Sequence, residues 1–171
     1  MGDYPVRLTT KGRYAVTAML DLAFHSQIKP VTLTDIAARQ TISLSYLEQL
    51  FARLRRANMV KGTRGPGGGY MLANAAGDIN IADIIAAVDE PLDATKCGGE
   101  ANCQNEKACL THDLWMGLSD QIRDYLKGIT LGQLLEKHRV QEIAKRQDHD
   151  AHQVVELHRH SELVSSFNDL L

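Results

Sequence analysis

The chain has 171 residues, 44% hydrophobic and 23% charged, which fits one ordinary soluble globular domain or two small ones. No run of about 18 apolar residues occurs, which excludes a membrane-spanning helix, and Met1–Val6 lacks the basic start and apolar core of a signal peptide. The net charge of −2 divides unevenly: residues 1–70 carry ten Lys+Arg against four Asp+Glu, net +6, and residues 71–171 carry nine against seventeen, net −8. A basic first part beside an acidic remainder points to a polyanion-binding domain joined to something else.

Thr9 or Thr10 is placed to cap a first helix to about His25, with Val16, Met19, Leu20 and Ala23 at i, i+3, i+4 and i+7. Lys29-Pro30 breaks it. Thr32 or Thr34 then caps a short helix over 35–40, with Ile36 and Ala37 inward. After a turn at Thr41-Ile42, Ser43 or Ser45 caps a third helix to about Asn58, whose apolar stripe is Leu47, Leu50, Phe51 and Leu54. Two helices joined by a tight turn outline a helix-turn-helix. The outer face of the second helix presents Ser43, Ser45, Tyr46, Glu48, Gln49 and Arg53, side chains suited to base edges and phosphates. A plain three-helix bundle with a solvated face fits the same helices.

Strand character over 59–64, a glycine-rich turn Gly65–Gly69 and a return strand from Tyr70 to Leu72 make a hairpin directly after these helices. That order is a wing, and Lys61 and Arg64 would carry its positive charge to a groove or to phosphates. The glycine run is no phosphate-binding loop: no Lys-Ser or Lys-Thr follows it, and Tyr70 stands where G-x-G-x-x-G needs its last glycine.

Residues 79–89 read as helix, with Ile81, Ile84, Ile85 and Val88 on one face. Beyond them lie all three cysteines, Cys97, Cys103 and Cys109, with five residues between neighbours and His112 three positions after the last. An odd number cannot pair off completely within the chain, and free thiols without an export signal point to a reducing cytoplasm. Gly98, Gly99 and Asn102 let this loop wrap around a ligand. Three thiolates and an imidazole complete a four-ligand set for zinc or for an iron–sulfur cluster. Zinc loops usually carry closer cysteine knuckles, and the wide gaps suit a cluster of two irons, but both readings stand on spacing alone.

From His112 a helix runs to about Lys127, and Trp115, Leu118, Ile122, Tyr125 and Ile129 repeat at 3, 4, 3 and 4, a heptad seam suited to a partner subunit or to a core. Thr130 caps a further helix to about Ile143 with Leu131, Leu134 and Leu135 inward. Residues 144–171 are mostly polar, with His149, His152, His158 and His160, and are expected to form a flexible, solvated tail with a weak late helical pattern.

Four segments carry a resemblance: Arg7–Val16, Ile42–Phe51, Arg64–Tyr70 and the Cys97/Cys103/Cys109/His112 loop. Together they resemble the Rrf-type family of bacterial winged-helix transcription factors, and within it the regulators that sense an iron–sulfur cluster. The likeness runs from about Arg7 to about Ile143; residues 1–6 precede the family's usual start, and the segment after Ile143 matches no motif. It implies a cytoplasmic homodimer on double-stranded promoter DNA, with one 2Fe-2S cluster per subunit held by Cys97, Cys103, Cys109 and His112. It also implies control of iron–sulfur assembly genes, one promoter class being bound only with the cluster and another with or without it, and the assembly machinery as cluster donor.

The expected fold is therefore mainly α with a small β-hairpin. A winged helix-turn-helix domain spans 1–90, a cluster-binding loop 91–111, a dimerisation helix and its successor 112–143, and a tail 144–171. An enzyme is disfavoured, because no second constellation of acid, base or nucleophile accompanies the cysteine loop. The rivals are a zinc-stabilised DNA-binding protein without a switch and an iron–sulfur electron carrier. Glu48 is the acidic exception on the recognition face: it would accept from cytosine N4, or else pair with Arg53 or a wing lysine.

Overall fold

The computed structural model describes residues 10–90, 92–95 and 97–168, with side chains as far as Gln153. Helix α1 spans Thr10–His25, α2 Leu33–Gln40 and α3 Leu44–Arg56. Strands β1 (Val60–Thr63) and β2 (Gly69–Leu72) pair antiparallel, with Val60 opposite Leu72 and Thr63 opposite Gly69. A single turn of 3-10 helix at Ala76–Asp78 leads into α4 (Ile81–Ala87); α5 (His112–Lys127), α6 (Leu131–Leu135) and α7 (His138–Asn168) complete the chain.

The apolar periodicities decide how the helices meet. Leu47, Leu50, Phe51 and Leu54 of α3 are all buried, and they pack on Met19 and Leu22 of α1, Ile36 of α2 and Ile84 and Ile85 of α4. Each such side chain taken out of water contributes about 1.5–3 kcal/mol. The inward stripe of α1 is Ala15, Ala18, Met19 and Leu22, whose two alanines let α4 approach, while Val16 and Leu20 sit half-buried on its flank. Thr32, rather than Thr34, caps α2 by accepting the Asp35 N–H at 3.1 Å, and Thr41 ends it in the left-handed conformation at φ 54°.

Two expectations change after α5. The heptad spacing extends the seam to Ile129, but α5 stops at Lys127, and Ile129 packs on the first domain with its carbonyl accepting the Ile81 N–H at 2.9 Å. Leu131 follows it into the core and is fully buried. The helix expected from Thr130 to Ile143 is two helices. Thr130 and Gln133 form a capping box, but α6 ends at Leu135, and a new helix begins at His138.

The expectation of a flexible tail from residue 144 is corrected, because α7 is continuous to Asn168 and its first half docks on α1 and α2. Polar groups make much of that contact. The Asp21 carboxylate, fully buried on α1, accepts from Arg39 Nη2 and Nε at 2.7 and 3.0 Å and from Gln40 Nε2 at 2.6 Å. Gln40 and Gln147 pair through their amides at 3.1 and 3.2 Å, and His25 Nε2 lies 3.0 Å from Asp148 Oδ1. An apolar cavity of about 220 Å³ remains beside this cluster, between Val16, Leu20 and Phe24 of α1 and Val140, Ile143 and Ala144 of α7. His149 and His152 are exposed, whereas the side chains of His158 and His160 lie outside the described residues.

Candidate metal centre and nucleic-acid interface

The cysteine loop is a run of tight turns. Gly98, Gly99, Ala101, Asn105 and Glu106 all have positive φ, and the Glu100, Lys107 and His112 N–H groups close turns on the Cys97, Gln104 and Cys109 carbonyls. Its entry is fixed to α5, because Ser119, buried on that helix, accepts the Ala94 N–H at 2.8 Å and donates to Asp93 at 3.3 Å. His112, also buried, opens α5.

This folding brings three of the expected ligands together. One ligand atom each from Cys97, Cys103 and His112 lies within 4.8 Å of the others, with His112 Nδ1 3.6 Å from Cys97 Sγ and 3.8 Å from Cys103 Sγ. Cys109 sits at the edge of the trio. Its N–H donates to Cys103 Sγ at 3.0 Å, and its thiol contacts the Cys103 thiol and lies 3.8 Å from Thr111 Oγ1. The three cysteines are free thiols. Desolvation pushes the Cys97 thiol up, but the Thr95 hydroxyl and the Gly99 and Ala101 N–H groups outweigh it and hold it down at about 6. The Cys109 N–H lowers Cys103, yet the Cys109 thiol, desolvation and Cys97 together push it up. Contact with the Cys103 thiol, then Thr111, lowers Cys109. Thiolate is the ligating form, so the donor set fits a metal or an iron–sulfur group, with Cys97 the most prepared of the three thiols.

The helix-turn-helix face is open. Ser43 sits at the N-cap of α3 in extended conformation, yet its side chain makes no capping hydrogen bond, and so its hydroxyl is free for a partner. Ser45, Glu48 and Gln49 are exposed. Tyr46 is partly committed to packing, edge-on to Tyr14 at 5.9 Å between ring centroids. Arg53 is turned from that face towards Asp89, with which it forms an ion pair. Glu48 therefore does not pair with Arg53, and has no ion-pair partner among the described residues.

Lys61 and Arg64 are exposed on the hairpin, which is fastened to the α1–α2 connection by reciprocal bonds between Val31 and Tyr70 at 2.9 and 2.7 Å. Gly69 permits that approach: its φ is +153°, and a Cβ there would meet the Val31 carbonyl oxygen at 2.5 Å. Sequence reasoning missed the exposed cations Arg13, Arg55 and Arg56, although the basic charge of the first 70 residues pointed to them. It also missed the pairing of Arg53 with Asp89, which leaves no periodic signal. On α5, Trp115, Leu118 and Tyr125 are exposed at 39%, 37% and 70%, joined by Leu114 at 63%, while Ile122 is half-buried. No helix among the described residues is long and apolar enough to cross a membrane.

Comparison with known proteins agrees with this geometry. A family model described as Rrf2, iron-dependent transcriptional regulator, matches residues 8–137. The HTH-type transcriptional regulator IscR of Photobacterium profundum is 62% identical over 143 residues, covering 84% of this chain and 83% of that protein. The regulator of the same name from Vibrio cholerae is 59% identical over 143 residues, with coverage of 84% and 83%. Among solved structures, T. potens IscR superposes with a TM-score of 0.64 at 38% identity, over 76% of this chain and 86% of that one. CymR, the global cysteine regulator of B. subtilis, does so with a TM-score of 0.64 at 33% identity, over 75% and 95%. These relatives are transcriptional regulators rather than enzymes. The chain belongs to the Rrf2 family, as a DNA-binding transcriptional regulator of the IscR type.

Proposed function

We propose that the protein is a homodimeric regulator that holds one 2Fe-2S cluster per subunit through Cys97, Cys103, Cys109 and His112, with occupancy changing which class of promoter it binds. The genes controlled are those of iron–sulfur assembly, whose machinery supplies the cluster. The observation that carries the reading is the gathering of Cys97, Cys103 and His112 within 4.8 Å on the loop that joins the winged helix to α5. A cluster there would supply a redox-active, iron-dependent centre. Its fourth ligand would be an imidazole in place of a thiolate.

The DNA contacts belong to Ser43, Ser45, Gln49 and Glu48 on α3 and to Lys61 and Arg64 on the wing, with Tyr46 supporting them. Dimerisation rests on α5, where Trp115, Leu118, Ile122 and Tyr125 form an apolar face that a second copy would cover. A zinc site without a switch is the second reading, because tetrahedral zinc sets ligand atoms about 3.6–3.8 Å apart, the separations seen at His112. Iron in the family's description and a third thiol, Cys109, at the edge of the trio as a fourth ligand favour the cluster.

Anaerobic purification decides between the two: a 2Fe-2S protein is red-brown and a zinc protein colourless. Replacing Cys97, Cys103 or Cys109 with Ala should abolish the colour while leaving a folded dimer. His112→Cys should keep a cluster with an altered spectrum. A full cluster spectrum in any Cys→Ala variant removes that residue from the ligand set. Leu118→Glu should yield monomers in sedimentation, and a dimer of parental affinity would move the interface elsewhere.

A further inference from the structure

The two residues that leave α4 hold both α1 and α3. Asp89, in the left-handed conformation at φ 54°, pairs through its carboxylate with Arg53 of α3, and its carbonyl accepts Lys11 Nζ at 3.4 Å. Glu90, only 6% exposed, turns inward, and its Oε2 accepts the Gly12 N–H in the first turn of α1 at 2.6 Å. That N–H is one of the donors a helix start leaves without an intrahelical partner, and the start of a helix favours a negative charge. Gly12 is what allows the approach, since a Cβ there would stand 3.0 Å from Oε2 and 3.2 Å from Cδ of Glu90.

The same short segment enters the metal centre. Ala94 and Asp93 are fastened to Ser119 of α5, and Cys97 follows three residues after Ala94. Three residues span at most about 10 Å when fully extended, so Cys97 lies within that reach of the residue anchored on Ser119. A comparable length separates Glu90 from that anchor. A rearrangement of the loop around Cys97 must therefore be absorbed within this run or passed to its anchored ends.

We infer that Asp89 and Glu90 are the joint through which the conformation of the ligand loop reaches the recognition helix, with Glu90 a positioning residue that sets the start of α1 and Asp89 one that holds α3 through Arg53. This rests on the cluster-sensing reading. Coupling between two sites is reciprocal, so the joint should also transmit in reverse: operator DNA should change cluster retention, and less so when the joint is loosened.

Glu90→Gln keeps size and an acceptor but removes the charge. Gly12→Ala pushes the carboxylate away from the other side. Asp89→Asn, at an exposed position, breaks the Arg53 pair without threatening the fold. Operator affinity of loaded and cluster-free protein is measured for each at one salt concentration, together with amide hydrogen exchange of α3 in the cluster-free form. The ratio of loaded to cluster-free affinity should fall at least threefold in Glu90→Gln and Gly12→Ala, and less in Asp89→Asn, with the cluster spectrum unchanged. Exchange in α3 should quicken. Loss of affinity by the same factor in both states, with the ratio intact, would overturn the joint and leave Glu90 a simple helix cap. Should the parent itself show no difference between loaded and cluster-free forms, the sensing reading fails; unchanged α3 exchange in Glu90→Gln would then overturn the joint too, and quickened exchange would support it as a mechanical link.

Discussion

Replacing Asp21 with Ala should cost this fold more than any change at its surface charges. The carboxylate is fully buried and accepts three hydrogen bonds, two from Arg39 and one from Gln40. Its removal leaves a guanidinium only 12% exposed, whose remaining carboxylate is Asp148 at 3.9 Å. Breaking a buried pair from one side costs about 3–5 kcal/mol, because the orphaned charge stays desolvated. Against a total of about 5–15 kcal/mol for a domain, that is a large share. At roughly 2–4 °C per kcal/mol for a chain of this size, the thermal midpoint should fall by roughly 6–20 °C. Asp148 bridges to the same cluster but is 36% exposed. Solvent screens that pair, so Asp148→Ala should cost only about 0–1 kcal/mol. Urea titration followed by circular dichroism at one protein concentration measures both. Equal losses in the two variants would refute the assignment of Asp21 as the anchor of α2, the first helix of the helix-turn-helix.

The same cluster should make stability depend on pH in two opposed ways. His25 is raised, first by its contact with Asp21, so its contribution is complete below about 6.5 and is lost as pH rises through the higher folded value. For Asp21, desolvation pushes up, but bonds from His25, Arg39 and Gln40 outweigh it and lower the carboxyl; its contribution is present above about 3.9 and is lost as pH falls through the lower folded value. His25→Asn should flatten the midpoint-versus-pH curve on the neutral to alkaline side only, and an unaltered slope there would remove His25 from the cluster. Arg64→Ala should weaken operator binding on all sequences alike and reduce the salt slope by about one unit if it meets phosphates only; loss that varies with groove width would place it in the minor groove, and unchanged binding would free the wing from DNA. Glu48→Ala in cluster-free protein should gain binding to the cluster-dependent operators, by relieving an unpaired carboxylate that costs about 1–3 kcal/mol at sites without a suitable cytosine; an unchanged preference between operator classes would show that Glu48 is not the gate. Gly69→Ala should destabilise the hairpin by about 1–3 kcal/mol through its backbone conformation and weaken DNA binding in proportion; a variant with parental stability would contradict the close approach to Val31.

What the sequence determined by itself was whatever repeats locally. The α3 stripe of Leu47, Leu50, Phe51 and Leu54 is buried residue for residue, because a period of 3.6 that is apolar on one side has one way to leave water. The turn at Gly65–Gly69 gave the hairpin, since few residues other than glycine take its backbone conformations. The spacing of Cys97, Cys103 and His112 marked residues that the loop does gather. Tertiary structure alone decided the rest. Asp148 lies 123 positions from His25, and Gln147 lies 107 from Gln40; such polar pairs leave no period in either segment, and so a chain that reads as a solvated tail docks as α7. Arg53 sits at a surface spacing on α3, but the ion pair with Asp89, 36 positions on, turns it from the DNA face. Ile129 continues the heptad count of α5, but the helix ends at Lys127, and the backbone bond to Ile81 packs a half-buried Ile129 against the core of the first domain. Cys109 has the spacing of a ligand, and the turns of the loop leave its thiol between the Cys103 thiol and Thr111, at the edge of the Cys97/Cys103/His112 group. Local pattern governs which face of an element leaves water; which distant partner covers that face depends on how the whole chain closes.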